Sequence, residues 1–223
     1  MDLNKSLEFF NPNKVKKPCH VIGCGSIGSN VAELLVRYGI ENITIYDFDV
    51  VEPHNITNQL YTEFDVGKPK TEALAQLLYN INPALKKKLK IKGAYEPGKN
   101  LEGYVFLCVD NVEVRKAIVE GQKNNPFIKA FFDFRTTLTQ GQCYLAKTEN
   151  PEEVESLLNS LDFTHEEALA NTPVSACGFE LSVAPVVRMT AQMGIVNFTN
   201  LINNVETKKL ILMEPYKFFF EAM

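Results

Sequence analysis

Tryptophan is absent from the 223 residues, histidine occurs only three times, and no two cysteines are spaced as CxxC. The paired CxxC arrangement of a structural zinc site is therefore missing, and His20, His54 and His165 offer no cluster in its place, so no zinc is expected. The five cysteines are odd in number and scattered, and no long apolar h-region opens the chain. Reduced thiols in a cytoplasmic protein are the simplest expectation. No uninterrupted apolar run approaches the roughly 18 residues of a membrane helix, so no membrane partner is expected. Excess positive charge is lacking too. The formal charge is −4 and the pI about 5.5, which argues against nucleic acid as a partner.

What is present is an ordinary globular mixture, 45% apolar and 22% charged, long enough for one large domain over residues 1–223. Residues 1–17 are polar and Lys-rich and read as a short helix or arm. CHVIGCGSIG is an apolar strand running into glycines, and SNVAELLVRYG has the spacing of an amphipathic helix closed by Gly39. ENITIYDFDVV is a second strand, 53–69 an ordered loop, and KTEALAQLLY a second helix. LKKKLKIKGAY alternates with period two and predicts an edge strand with a solvated lysine face. GYVFLCVDN and VEVRKAIVEGQKN complete a β-α-β-α-β-β-α order.

The rhythm then changes. FIKAFFDFRTT and QCYLAK predict an antiparallel hairpin, 151–175 a surface helical crossover segment, and 182–203 a buried helix. LILMEPYKFFF reads as strand, turn, strand. The fold class expected is α/β: a Rossmann-like open sheet, parallel in its first half and mixed or antiparallel in its second, with helices on both faces.

Gly23-Cys24-Gly25-Ser26-Ile27-Gly28 is a full GxGxxG between a strand and a helix. Glycines there permit a tight turn, close backbone approach to a phosphate and helix–strand packing. The N–H groups of Ser26 and Ile27 would then face an anion at the helix start. Asp47 ends the second strand about 20 residues on, where a carboxylate accepts ribose hydroxyls whether the nucleotide is ATP or NAD. Asp49 follows, and two acids at a phosphate site repel the ligand unless one faces ribose and another a metal. Asp110, after the buried strand YVFLCV, is the better Mg²⁺ candidate. Its alternative role is to cap the helix that begins at Asn111.

Taken together, Gly23 to Gly28, Asp47-Phe48-Asp49-Val50-Val51-Glu52, Asn55, Gln59, Asp65-Val66-Gly67-Lys68-Pro69-Lys70 and Asp110-Asn111 resemble the ThiF/MoeB/HesA family, whose adenylation domain is shared with the ubiquitin-activating enzymes. The resemblance implies ATP- and Mg²⁺-dependent adenylation of a carboxylate, usually the terminal glycine of a ubiquitin-like or sulfur-carrier protein, by a homodimer. Carried over by position, Asp47 binds ribose, Asn55 and Lys70 contact phosphates, and Asp110 holds Mg²⁺. A lysine in the first turn of a helix opposes the macrodipole, so an anion is expected beside Lys70.

Two departures stand out. Asn58-Gln59 replaces the family's Arg-Gln, and no arginine precedes Arg37. Loss of one such transition-state contact costs about 3 kcal/mol. Arg135, on the strand after Asp133, is a candidate replacement charge, or simply a surface or Asp-paired arginine. Cys177, ahead of the last helix, is either a packed thiol or, as some relatives imply, the acceptor of a thioester. The alternatives to an adenylyltransferase are an ATP-binding scaffold of the same fold and an NAD-dependent oxidoreductase. The latter leaves Asn55, Lys70 and Asp110 without a task.

Overall fold

A computed structural model describes residues 1–96, 98–170, 172–176 and 181–223. They form one eight-stranded sheet. Its strands are β1 (Cys19–Ile22), β2 (Ile43–Tyr46), β3 (Lys90–Lys92), β4 (Gly103–Leu107), β5 (Ile128–Thr136), β6 (Gly141–Lys147), β7 (Leu210–Glu214) and β8 (Phe219–Ala222). The order is β3-β2-β1-β4-β5-β6-β7-β8. The first five pair in parallel and the last four antiparallel, β5 being the strand where the sheet changes character.

The helices divide between the two faces. On one lie α1 (Ser26–Arg37), α2 (Lys70–Ile81) and α6 (Ala184–Asn203), whose Val31, Leu35, Leu74, Leu78 and Phe198 close over Val21, Ile45 and Phe106. Phe106 stacks on Phe132 at 4.9 Å, and Phe198 meets both edge-on at 5.5 and 5.7 Å. Such aromatic geometry adds to what area burial alone contributes. On the other face α3 (Val112–Gln122) and α4 (Pro151–Asn159) pack Ile118, Val119, Val154 and Leu157 against Val105, Leu107 and Phe131. α4 is thus a core layer rather than a surface helix, while the short α5 (His165–Ala170) buries none of its residues. The amino-terminal arm is docked: Phe10 is buried edge-on against Tyr38, and Asn203 donates to the Phe9 carbonyl.

One expectation needs correction. The run expected as a single strand from Leu85 is a 3-10 turn at Pro83–Lys87 followed by the three-residue β3. Asn82 caps that turn by accepting the Ala84 N–H, and Leu85 and Leu89, four apart, both turn toward the core. A helical spacing of leucines overrides the strand-like alternation of the lysines. Lys90 and Lys92 do lie exposed on the sheet's edge, where charge discourages pairing with another chain.

Candidate functional site

The three glycines of the loop after β1 have different tasks. Gly23 sits at φ +95°, and a Cβ there would meet the Cys108 carbonyl at 2.7 Å. A Cβ on Gly28 would lie 1.8 Å from the Gly23 carbonyl, so this glycine lets α1 pass the strand. At Gly25 nothing lies within 4 Å. The backbone is open there, and no side chain caps α1, whose first internal N–H bond is donated by Ser29 to Gly25. An uncapped helix start beside an empty cradle is an anion site in waiting.

β2 delivers Asp47 to the same place. One carboxylate oxygen accepts the Cys24 N–H at 2.6 Å and the other the Asp49 N–H at 2.8 Å. Asp49 in turn accepts from Lys70 Nζ at 2.8 Å, while its carbonyl accepts the Lys70 N–H at 2.8 Å. The anion expected beside Lys70 is therefore Asp49. The lysine side chain is 11% exposed and the aspartate 48%. Sequence reasoning missed Tyr61, whose buried hydroxyl lies 2.6 Å from the Cys24 carbonyl and 3.2 Å from that of Lys70, joining the glycine loop to α2. Burial pushes the Tyr61 phenol and the Cys24 thiol up, with the nearby carboxylates adding to it. Neither group ionises near neutrality, and Cys24 is a small packed side chain rather than a nucleophile.

The loop beyond β2 forms a 3-10 turn, Pro53–Thr57, locked by a reciprocal pair. Asn55 accepts the Glu52 N–H at 2.9 Å, and Glu52 accepts that of Asn55. Asn58 and Gln59 follow on the cleft wall, and Gln59 Oε1 is buried with no partner among the described residues. A buried acceptor left unpaired is costly unless something else supplies a donor.

Asp110 stands exposed at the end of β4, and its carboxylate has no partner among the described residues. The cap of α3 is Asn111, which accepts the Val114 N–H at 2.8 Å. The capping alternative for Asp110 thus falls to its neighbour, leaving Asp110 free to face the cleft. Among the described residues no three acids, cysteines or histidines converge on a metal-binding point. A lone carboxylate still fits Mg²⁺, which keeps most of its waters and rides on substrate phosphates.

The opposite wall is closed on itself. Asp133 on β5 is wholly buried and takes two guanidinium groups. Arg115 of α3 pairs with one oxygen and also donates to the Phe134 carbonyl, and Arg135 Nε donates to the other oxygen at 2.6 Å. Arg135 further donates to the Ser160 carbonyl and hydroxyl, both at 2.8 Å, and lies 4.3 Å over the Tyr144 ring. Arg135 is a tether between β5 and the end of α4, not an uncommitted charge. Arg115 was not anticipated, although Val112, Arg115, Ile118 and Val119 share the buried stripe of α3.

These groups line one cleft of about 1550 Å³. Gly23, Gly25, Ser26, Ile27, Asp47, Asp49, Asn55, Asn58, Gln59, Lys70 and Asp110 form its first half, and Arg135 belongs to the second. Gly28 and Asn111 lie behind the wall, used for packing and capping. Beyond Arg135 the cleft continues past Thr136, Gln142, Phe163, Leu169 and Leu181. Its size exceeds the upper end, about 1000 Å³, of ordinary small-ligand pockets. Cys177 lies outside the described residues.

A model of the ThiF family matches residues 14–222. The ubiquitin-like modifier-activating enzyme 5 of Dictyostelium discoideum is 35% identical over 114 residues, covering 44% of this chain and 30% of that protein. The chain therefore spans about three-tenths of that relative's length. Among solved structures, PaaA superimposes with a TM-score of 0.71 at 15% identity, over 95% of this chain and 74% of its own. E. coli MccB with ATP gives 0.66 at 19%, over 95% and 65%. At those identities the likeness is one of fold.

Proposed function

The chain belongs to the ThiF family, and from that premise we propose that it is an ATP- and Mg²⁺-dependent adenylyltransferase that activates a carboxylate. The observation that carries this reading is the open backbone cradle at Gly25 sharing one cleft with Lys70 and with Asp110, which has no partner among the described residues. The nucleotide would lie with its phosphates over Gly25 and its ribose at Asp47. Gln59 Oε1, otherwise orphaned, awaits a donor at that wall.

The chemistry needs no protein nucleophile. A carboxylate oxygen of the acyl substrate attacks the α-phosphorus. The bond from that phosphorus to the bridging oxygen breaks, and pyrophosphate leaves with the electron pair, giving an acyl-adenylate. No proton is moved. The protein's contribution is alignment of two anions and relief of their charge. Lys70 brings a compact cation to the phosphates, and the first turn of α1 brings backbone donors. Mg²⁺ bound at Asp110 would supply Lewis-acid neutralisation of phosphate oxygens. The second half of the cleft, where Gln142, Phe163, Leu169 and Leu181 stand beside Arg135, Asp162 and Glu167, would take the acyl chain.

The acyl substrate proposed is the carboxyl terminus of a ubiquitin-like or sulfur-carrier protein, or another carboxylate of extended shape. The ubiquitin-like activating relative and the peptide-bearing MccB complexes both support that class. A homodimer is part of the proposal, and the exposed Tyr216, Phe218 and Phe220 of the mixed half offer it apolar surface. So is a cytoplasmic setting, which suits the four described cysteines, all unbonded. No helix among the described residues is long and apolar enough to cross a membrane.

A second reading, ATP binding without adenylation, is favoured by Asn58, which brings no charge where relatives of this motif carry arginine. ATP–pyrophosphate exchange with Mg²⁺, with and without a small protein ending in Gly-Gly, separates the two. Exchange dependent on the terminal glycine is expected. ATP binding without exchange would move the chain to the second reading.

A further inference from the structure

The acidic pair at the end of β2 raises a question of charge. Asp47 and Asp49 flank a cleft that is to accept a triphosphate, and like charges there oppose binding. The hydrogen bonds show how the conflict is contained. Asp47 is spent on two backbone N–H groups, those of Cys24 and Asp49. Asp49 is bound to Lys70 in two ways, by its carboxylate to Nζ and by its carbonyl to the lysine N–H, and the bond from the Val51 N–H to the Lys68 carbonyl completes the bridge between the two segments. The lysine is the buried member and the aspartate the exposed one. Among the described residues Lys70 Nζ has no other anion. An ammonium this buried is poorly hydrated and needs a partner at all times.

We propose that Asp49 is the resting counter-ion of Lys70, a positioning residue that holds the ammonium at the cleft wall until nucleotide phosphate replaces it. Binding is then an exchange of anions at one cation rather than capture by a free lysine. This rests on the reading of the cleft as an ATP site and adds the order of events within it. When phosphate takes Nζ, the Asp49 carboxylate turns to solvent, which its half-exposed position permits. The two backbone contacts keep the start of α2 in place, so the lysine moves by side-chain rotation alone. The arrangement trades affinity for a lysine that stays extended and solvated by protein while the site is empty.

The test is calorimetric binding of ATP at low salt, with EDTA and separately with Mg²⁺, to the full chain and to Asp49→Asn, Lys70→Met and the double variant. Asn keeps the size and the backbone contacts while removing the charge. The exchange predicts that Asp49→Asn tightens ATP binding about threefold to tenfold, and less at high salt. It also predicts that this gain largely disappears on the Lys70→Met background, because no cation remains to be released. An equal gain in both backgrounds would mean plain repulsion by Asp49, and weaker binding by Asp49→Asn would mean that Asp49 serves the nucleotide directly. Either result overturns the proposal. If the parent chain binds no ATP, the reading of the cleft itself fails, which is a different outcome. Thermal melts of all four proteins keep loss of binding distinct from loss of fold.

Discussion

In the nucleotide half of the cleft some polar groups are left open, whereas the buried charges of the opposite wall are closed on one another. A Cβ at Gly25 would meet nothing within 4 Å, and Asp110 and Gln59 Oε1 have no partner among the described residues. Across the cleft, Asp133 is wholly buried, both its oxygens are taken by arginines, and Arg135 is occupied on Nε, on both terminal nitrogens and on its guanidinium face, which lies over the Tyr144 ring. A surface meant to receive a ligand keeps groups unspent. A wall meant to keep its shape spends them all. The parallel sheet supports the first, since strand ends and helix starts converge there. The antiparallel half has no such convergence and fixes its geometry with ion pairs.

The comparison breaks most visibly under substitution of its two charged centres. Asp133→Ala leaves two arginines buried against each other and should cost about 3–5 kcal/mol of stability, read from urea unfolding. Lys70→Met removes a cation whose partner is half exposed, and should leave stability within about 1 kcal/mol while abolishing ATP–pyrophosphate exchange. If Lys70→Met unfolds the protein, or Asp133→Ala unfolds at the parent midpoint, the two halves are not built differently after all.

That difference also governs what could be read before the structure was known. The glycine loop, Asp47 and the anion beside Lys70 are local: each lies at a strand end or a helix start, and such positions are marked by residue type and spacing. The sheet's change from parallel to antiparallel was legible because the few residues between FIKAFFDFRTT and QCYLAK leave room only for a hairpin; the turn is Thr137 to Gln140, and Gly141 already belongs to β6. Arg115, the second partner of Asp133, was not, since α3 meets β5 only in the folded chain. A signal existed nonetheless. Arg115 falls on the same helical stripe as Val112, Ile118 and Val119, and Asp133 stands inside AFFDF. Two opposite charges, each embedded in a buried pattern, call for one another. Tyr61 gave no such sign. The lysine run misled because its polar residues alternate while its leucines are spaced four apart.

Within the glycine motif the same contrast can be drawn at smaller scale. Gly28→Ala places a Cβ against the Gly23 carbonyl, a backbone atom that cannot yield, and should destabilise by about 3 kcal/mol. Gly25→Ala meets nothing and should melt within a few degrees of the parent, yet bind ATP more weakly because the methyl occupies the phosphate cradle. Equal stability losses at both positions would show that the cradle is a packing feature. Unchanged ATP binding by a folded Gly25→Ala protein would place the phosphates elsewhere.

The smallest expected effect concerns a buried polar group that the parallel half leaves unpaired away from the cleft. His20 on β1 is 8% exposed, with Nδ1 3.1 Å from the Tyr46 hydroxyl and Nε2 buried with no hydrogen-bond partner among the described residues. Burial lowers its pKa to about 4, with Lys90 adding to the shift and the Glu102 region opposing it. The folded protein therefore holds His20 neutral where the unfolded chain, near 6.5, already takes a proton. Its contribution to stability is complete above pH 6.5 and is lost as the pH falls toward 4. Between pH 6.5 and 5 the loss should be about 1.5 kcal/mol. His20→Phe should flatten that stretch of the urea midpoint against pH. A slope that survives His20→Phe would put the pH sensitivity in another group, and the unpaired Nε2 of His20 would have no consequence for stability.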